Sequence, residues 1–406
     1  MDKKIILKYA ILNAIQHEGK ADIQAVLGKI LSEKPEFRNK IKGIIPEIKK
    51  TVTDVNSWSK EKQENEMKKL GVTIEKKVEE KKELSDLPDA KIGKVVTAFP
   101  PEPSKYPHIG HAKAALVNYL YAKKYKGKFI LRFEDTNPLA AKKEYYDVFL
   151  EGLKWFGIKW DRLDYTSDHI EEFYEATEKL IKENKSYVCV CEQDKIKKNR
   201  RFMVECKCRN NSTEKNIELW KKMLTTFKEG EASVRIKISM DNKNAAMRDP
   251  SIMRIIDHPH VRTGKKYRLW PMYDFATSLM DGWEGVTHRV RSKEFEMRRE
   301  LQQFIQKAVN LKITYITEMA RFNLEGVPSS GRQIREMIQN KQLTGWDDPR
   351  LVTLIALRRR GFDPEGIKEF LVSTGVTKTE SMLTWDVLES FNRKMISINS
   401  RERKFV

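Results

Sequence analysis

Along the first ninety residues the apolar positions recur with the period of helices. Over residues 4–15, Ile5, Tyr9 and Leu12 fall three or four residues apart with Ile6 and Ala10 beside them, and residues 23–31 repeat the pattern. Gly19 and Gly28 punctuate these runs. Over residues 59–82 apolar residues are few and Lys, Glu and Gln dominate, which predicts a solvated helix or tether. Ser85-Asp86-Leu87-Pro88 reads as a linker that closes a helical extension, residues 1–88.

After Lys91 the pattern changes. Residues 94–99 are a short run rich in strand formers, stopped by Pro100-Pro101-Glu102-Pro103. A helix is predicted from about residue 110 to 125, a strand over 129–133 and a second helix from about 140 to 156. Strand, helix, strand, helix at this spacing predicts a βαβ unit and a parallel sheet, an α/β fold. Residues 232–238 form a third strand-like run after a long insertion. Past Arg332 the pattern is helical again, over 351–359 and 367–371.

A chain of 406 residues can hold two to four domains. No stretch reaches the roughly 18 apolar residues of a membrane helix, and no signal-peptide pattern opens the chain, so a cytoplasmic protein with no membrane partner is expected. Lys and Arg number 78 against 58 Asp and Glu, a net charge of +20. The first 90 residues hold 19 basic and 16 acidic residues, so the excess belongs almost wholly to residues 91–406. A basic body of this kind suits a polyanion, and nucleic acid fits better than a membrane because no basic amphipathic helix with a broad apolar face stands out.

Two local patterns carry chemistry. His108-Ile109-Gly110-His111 falls where a strand gives way to a helix, the place where open α/β sheets bind their ligands. Free amides and the helix dipole favour phosphate there, and imidazole N–H groups can donate to oxygens that gain charge in a transition state. Cys189-x-Cys191 and, after fourteen residues, Cys206-x-Cys208 use every cysteine of the chain. Four thiolates in two close pairs suit a tetrahedral Zn²⁺ with no open position, hence a structural ion. The same segment carries Lys195, Lys197, Lys198, Arg200, Arg201, Lys207 and Arg209, which can neutralise phosphates. His258 and His260 read as loop histidines.

The stretch from Phe99 through His108-Ile109-Gly110-His111 to Lys113 resembles the first signature of the class I aminoacyl-tRNA synthetases of the glutamyl/glutaminyl group. Leu131-Arg132-Phe133-Glu134-Asp135-Thr136-Asn137-Pro138, Arg248-Asp249-Pro250, Arg262-Thr263-Gly264-Lys265-Lys266-Tyr267, Pro271-Met272-Tyr273-Asp274-Phe275-Ala276, Gly285-Val286-Thr287-His288 and Trp346-Asp347-Asp348-Pro349-Arg350-Leu351 follow in family order, with Arg358-Arg359-Arg360 after them. The N-terminal helices are similar to the extension of archaeal-type glutamyl-tRNA synthetases. The resemblance implies a Rossmann-like parallel-sheet catalytic domain in two parts, residues 89–188 and 263–326. It also implies a zinc-containing insertion at the tRNA acceptor end, residues 189–262, and a helical stem-contact domain, residues 327–406. The implied reaction is activation of L-glutamate by ATP with Mg²⁺, and transfer to tRNA(Glu). On this resemblance His108, His111 and Arg332 are catalytic. Pro101, Pro103, Gly110, Gly285 and Ser330 join them around ATP, and Glu134, Tyr273 and Arg291 hold the amino acid, Glu134 through its α-amino group.

Three departures bear on that expectation. The family's second signature, a Lys-Met-Ser-Lys-Ser-like loop, falls at Val327-Pro328-Ser329-Ser330-Gly331-Arg332, where Gly331 stands in the place of the lysine. Ala98 stands where the family has an arginine for the substrate's side-chain carboxylate, which leaves Arg291 as the candidate cation. The chain ends soon after Asn392-Arg393-Lys394, where the family's two anticodon-reading β-barrels begin, so a separate β-barrel chain is a possible partner. Two alternatives follow: a catalytically impaired relative that binds tRNA, and a glutaminyl-tRNA synthetase relative. The Cys-x-Cys pairs and N-terminal helices favour glutamate.

Overall fold

Asp22 and Ser59 cap two of the four helices with which the chain begins. In the computed structural model, which describes residues 3–17, 19–34, 41–70, 84–328 and 330–402, these helices are α1 (Lys3–Gln16), α2 (Ile23–Glu33), α3 (Ile41–Asn56) and α4 (Lys60–Lys69). The Asp22 carboxylate accepts the N–H of Ala25 at 2.8 Å and the Ser59 hydroxyl that of Lys62 at 3.3 Å, each satisfying an amide that a helix start leaves open. Ile6, Ala10, Ile11, Val26, Ile30, Ile48 and Val52 form the core. Gly28 lies inside α2 rather than ending it. The charged stretch is only partly a tether. Buried Gln63 of α4 donates to the carbonyls of Gly19 (2.9 Å) and Val55 (2.8 Å), which fastens that helix to the bundle. Residues 71–82 of the expected tether lie outside the described residues. This unit is Met1–Lys81.

The second unit, Lys82–Val406, includes the segment expected to be a linker. Leu87 is buried with Val95, Tyr121 and Tyr125, and its N–H donates to the Tyr125 hydroxyl at 2.9 Å. The boundary therefore falls before residue 82 rather than at 88. The unit is built on β1 (Val96–Phe99), α5 (Ile109–Lys124), β2 (Lys128–Phe133), α6 (Lys143–Trp155), β3 (Arg162–Tyr165) and α7 (Ile170–Lys182). There follow β4 (Ser186–Cys189), α8 (Gln193–Phe202), α9 (Thr213–Thr225), β5 (Ser233–Ile236), β6 (Ser251–Ile255) and β7 (Leu269–Pro271). The chain returns with α10 (Tyr273–Trp283), β8 (His288–Ser292), α11 (Arg299–Ala308) and β9 (Tyr315–Met319). It ends with β10 (Phe322–Leu324), α12 (Gly331–Gln339), α13 (Leu354–Arg359), α14 (Pro364–Ser373), β11 (Ser381–Leu383) and α15 (Trp385–Glu402).

Five strands make one parallel sheet in the order β3-β2-β1-β8-β9, with Phe99 beside Leu131 and Thr97 beside His288. The strand-like run at 232–238 joins a different sheet, antiparallel and ordered β4-β5-β6-β7. That insertion is wider than residues 189–262, because β4 and β7 supply its outer strands. The C-terminal helices share the core of the parallel sheet: Leu354, Leu357, Ile367, Phe370 and Leu388 pack in one cluster with Phe99, Leu116, Leu131 and Phe149.

Candidate active site

The strand order reverses between β1 and β8, so the carboxyl ends of these two strands open on a common edge. From β1 the chain runs through the proline-rich loop to His108, the N-cap of α5. The backbone N–H of His108 donates to Nδ1 of His111 at 3.1 Å, and the N–H of Gly110 donates to Nδ1 of His108 at 3.1 Å. Both Nδ1 atoms are acceptors, so in the neutral rings the protons sit on Nε2. The rings are tilted together with centroids 3.9 Å apart. Burial, with the charges of Lys105 and Arg321 adding, pushes His108 down to about 3 and His111 well below the usual range. At neutral pH the pair therefore offers two uncharged Nε2–H donors.

Gly110 is required by a close approach. A Cβ there would stand 2.9 Å from Cε1 of His108. The loop is clamped from a distant part of the chain: Ile109 N–H donates to Val352 O and Leu354 N–H to Pro107 O, both at 2.9 Å, around buried Thr353.

Glu134 follows β2 on the same edge, and its N–H donates to Pro101 O at 3.0 Å. Its carboxylate is buried. Arg132 Nη2 lies 3.2 Å away, but neither carboxylate oxygen gains a hydrogen-bond partner among the described residues. Arg132 is engaged instead with Asp281 at 3.0 Å and with Glu284. Burial raises the Glu134 carboxyl to about 7, against the opposing pull of Arg132. Arg291 leaves the end of β8 and donates to Gln302 Oε1 (2.6 Å) and Phe295 O (3.0 Å). Its nearest carboxylate, Glu318, is 4.0 Å away, and burial beside Arg289 lowers it to about 10. The hydroxyl of Tyr273, on the first turn of α10, feels the charges of Arg289, Arg291 and Glu134 together. An under-satisfied anion and an under-satisfied cation thus face one tyrosine, which suits a zwitterionic ligand. Ala98 is buried against Ile130 and Val286, so β1 contributes no charge at that position.

Pro101 and Pro103 are buried in the loop between β1 and α5. Ser330 caps α12, and Arg332 is exposed on the first turn of that helix. Gly285 is not brought to this edge. It occupies the turn that leads from α10 into the amino end of β8, with φ of +69°, and the turn's geometry explains its glycine. Residues that the sequence reading missed include Arg289, paired with Asp281 at 2.9 Å, and Asp135, whose carboxylate accepts from Tyr146, Ser167 N–H and Ser167 Oγ, each at 2.8 Å. Arg289 falls on alternate positions of its strand with Arg291, a period-2 signal that a strand prediction for 288–292 would have exposed.

In the insertion, the sulfurs of Cys189, Cys191, Cys206 and Cys208 all lie within 4.8 Å of one another. The Cys189–Cys206 and Cys191–Cys208 separations are 3.8 and 3.9 Å. A tetrahedral ion with metal–sulfur bonds of about 2.3 Å has sulfur–sulfur edges of about 3.8 Å, so the cluster fits a four-thiolate metal site. Arg235 Nη1 approaches Cys189 and Cys206 at 3.9 and 3.8 Å and offsets thiolate charge. Three of the seven expected phosphate-binding cations have protein partners instead: Arg200 donates to Arg248 O and Ala245 O, Arg209 pairs with Asp249 at 2.7 Å, and Lys197 pairs with Asp194 at 3.2 Å. His260 is buried in its loop, its Nδ1 accepting from the N–H groups of Arg262 and Thr263.

These features define an open, doubly wound α/β protein with its ligand site at the strand-order switch point. Residues 94–398 match the family model of tRNA synthetases class I (E and Q), catalytic domain. The chain is 47% identical to the glutamate–tRNA ligase of Nitrosopumilus maritimus over 98% of this chain and 71% of the relative. Against that of Pyrococcus furiosus it is 44% identical, over 97% of this chain and 70% of the relative. Among solved structures, the glutamate tRNA ligase of Elizabethkingia meningosepticum in complex with its amino acid has a TM-score of 0.55 at 17% identity, covering 75% of this chain and 70% of that one, a likeness of fold. This chain belongs to the catalytic-domain family of class I tRNA synthetases for glutamate and glutamine.

Proposed function

We propose that this protein activates L-glutamate with ATP and ligates it to tRNA(Glu). An oxygen of the α-carboxylate of glutamate attacks the α-phosphorus of ATP, which Mg²⁺ would accompany, and pyrophosphate departs. The glutamyl group then passes to a ribose hydroxyl at the 3′ end of tRNA, and AMP leaves. Such chemistry rests on placement and charge stabilisation rather than on a covalent enzyme intermediate.

The observation that carries this reading is the histidine pair, with both Nδ1 atoms satisfied and, among the described residues, no hydrogen-bond partner on either Nε2–H, which leaves both for phosphoryl oxygens. Pro101, Pro103 and Gly110 shape the loop around ATP, and Ser330 and Arg332 at the start of α12 meet its phosphates. Glu134 takes the α-ammonium of glutamate, and Arg291 beside Tyr273 takes its side-chain carboxylate, the work for which β1 lacks an arginine. The close relatives, named glutamate–tRNA ligases, support glutamate over glutamine. Zn²⁺ on the four cysteines stiffens the insertion, whose Lys195, Lys198, Arg201 and Lys207 approach the tRNA acceptor end. Unbridged thiols suit a reducing compartment, the cytoplasm, where charged tRNA is used. The test is a charging assay with labelled glutamate and, separately, glutamine, with and without an added anticodon-binding β-barrel fragment. Glutamate alone should be attached; transfer of glutamine instead would overturn the assignment.

A further inference from the structure

Lys105 lies three residues before His108, in the loop between β1 and α5. Its methylene chain packs on Gly331, the first residue of α12: a Cβ on Gly331 would stand 2.9 Å from Cδ of Lys105 and 3.6 Å from its Cβ. One turn further along α12, Arg335 donates to the carbonyl of Ser104 at 3.1 Å. The loop and the start of α12 are thus fastened at two successive residues, 104 and 105. The Lys105 ammonium is half-buried and makes no hydrogen bond or ion pair among the described residues. Burial and the charges of Arg321 and Arg335 lower its pKa, with Glu102 and Glu294 opposing. Glu294 is itself engaged by Arg321, and Glu102 accepts from the Ser104 hydroxyl at 2.8 Å. The Lys105 charge in turn acts on both imidazoles. A partly desolvated ammonium that forms no ion pair with the nearby carboxylates Glu102 and Glu294, set between the histidine pair and a capped helix start, is arranged to receive an anion.

We propose that Lys105 is a catalytic residue of the activation step, its ammonium holding the oxygens of the departing pyrophosphate, and that residue 331 is glycine because the Lys105 side chain occupies the space beside it. Arg332 is exposed and one residue removed from this contact. The inference rests on the function proposed above and names the group that serves its leaving phosphates. It also predicts that a lysine placed at 331 and the one at 105 compete for one position.

The test compares K105A, K105G, G331K, the double variant K105G/G331K and R332A with the wild type, by ATP–pyrophosphate exchange and by calorimetric titration with inorganic pyrophosphate. Melting curves confirm that each variant folds. K105A should lower the exchange kcat by about a hundredfold, the usual scale for one preorganised transition-state contact, with the KM for glutamate unchanged. K105G/G331K should recover at least tenfold over K105G, G331K alone should gain nothing, and R332A, which meets the phosphates from α12, should also lower the exchange rate. Exchange by K105A at the wild-type rate overturns the inference, as does a double variant no better than K105G. A wild type that exchanges nothing contradicts the function instead. The inference is then decided by the titration: about tenfold weaker pyrophosphate binding by K105A supports it, and equal affinity refutes it.

Discussion

The backbone N–H of His108 points at Nδ1 of His111, 3.1 Å away, and this bond leaves the proton of the neutral ring on Nε2. With Gly110 N–H on the other Nδ1, the helix start and the Nε2–H tautomer are one structure. Nitrogen-15 spectra should show both rings as neutral Nε2–H tautomers that do not titrate between pH 8 and pH 5. Over that range the unfolded histidines do bind protons, so the native state loses stability as pH falls below about 6.5. The stability advantage of the wild type over H108N should therefore shrink between pH 7 and pH 5 in denaturant titrations.

Gly110→Ala forces Cε1 of His108 away from a Cβ that would lie at 2.9 Å. Displacing a catalytic ring by a fraction of an ångström to an ångström costs on the order of a hundredfold in rate. Exchange kinetics should show that loss in kcat, with far-ultraviolet spectra unchanged.

Glu134 titrates near 7, so its anionic fraction rises through the neutral range. A carboxylate that binds an ammonium acts only when ionised. The KM for glutamate should accordingly fall by roughly tenfold from pH 6 to pH 8. In E134Q the pH dependence should vanish, and the KM should rise by a factor of about thirty, equivalent to about 2 kcal/mol for a charged hydrogen bond.

Four sulfurs at tetrahedral separations predict one zinc ion per chain by mass spectrometry of protein with reduced thiols. Cys206→Ser should abolish binding and lower the melting temperature by several degrees, because the ion ties β4 to the segment beyond α8. A metal content of zero in reduced wild-type protein would falsify this site.

The sequence made the histidine loop, the cysteine knuckle and the first βαβ unit legible, since each depends on local spacing. It was silent on contacts between distant segments. Nothing near His108 announces that Val352 and Leu354 clamp its loop, because that pairing spans more than 240 residues of chain. The 288–292 strand passed unnoticed because it is charged: Arg289 and Arg291 are buried by partners on α10 and α11 that period-2 hydrophobicity cannot reveal. Gly285 shows the opposite error. The family resemblance assigns this motif position to the ligand, whereas its backbone requirement lies in a left-handed turn before the amino end of β8. Gln63 likewise turned charged sequence into packed helix through two buried hydrogen bonds.

The central claim is that groups at the carboxyl ends of β1, β2 and β8 form glutamyl adenylate. Incorporation of labelled pyrophosphate into ATP by the wild-type chain tests it most directly. Label should enter ATP only when L-glutamate and tRNA(Glu) are both supplied, and should fall to background in H108N. Absence of exchange under every amino acid and tRNA combination, with tRNA still retained on the protein, would contradict the account and leave a tRNA-binding relative without catalysis.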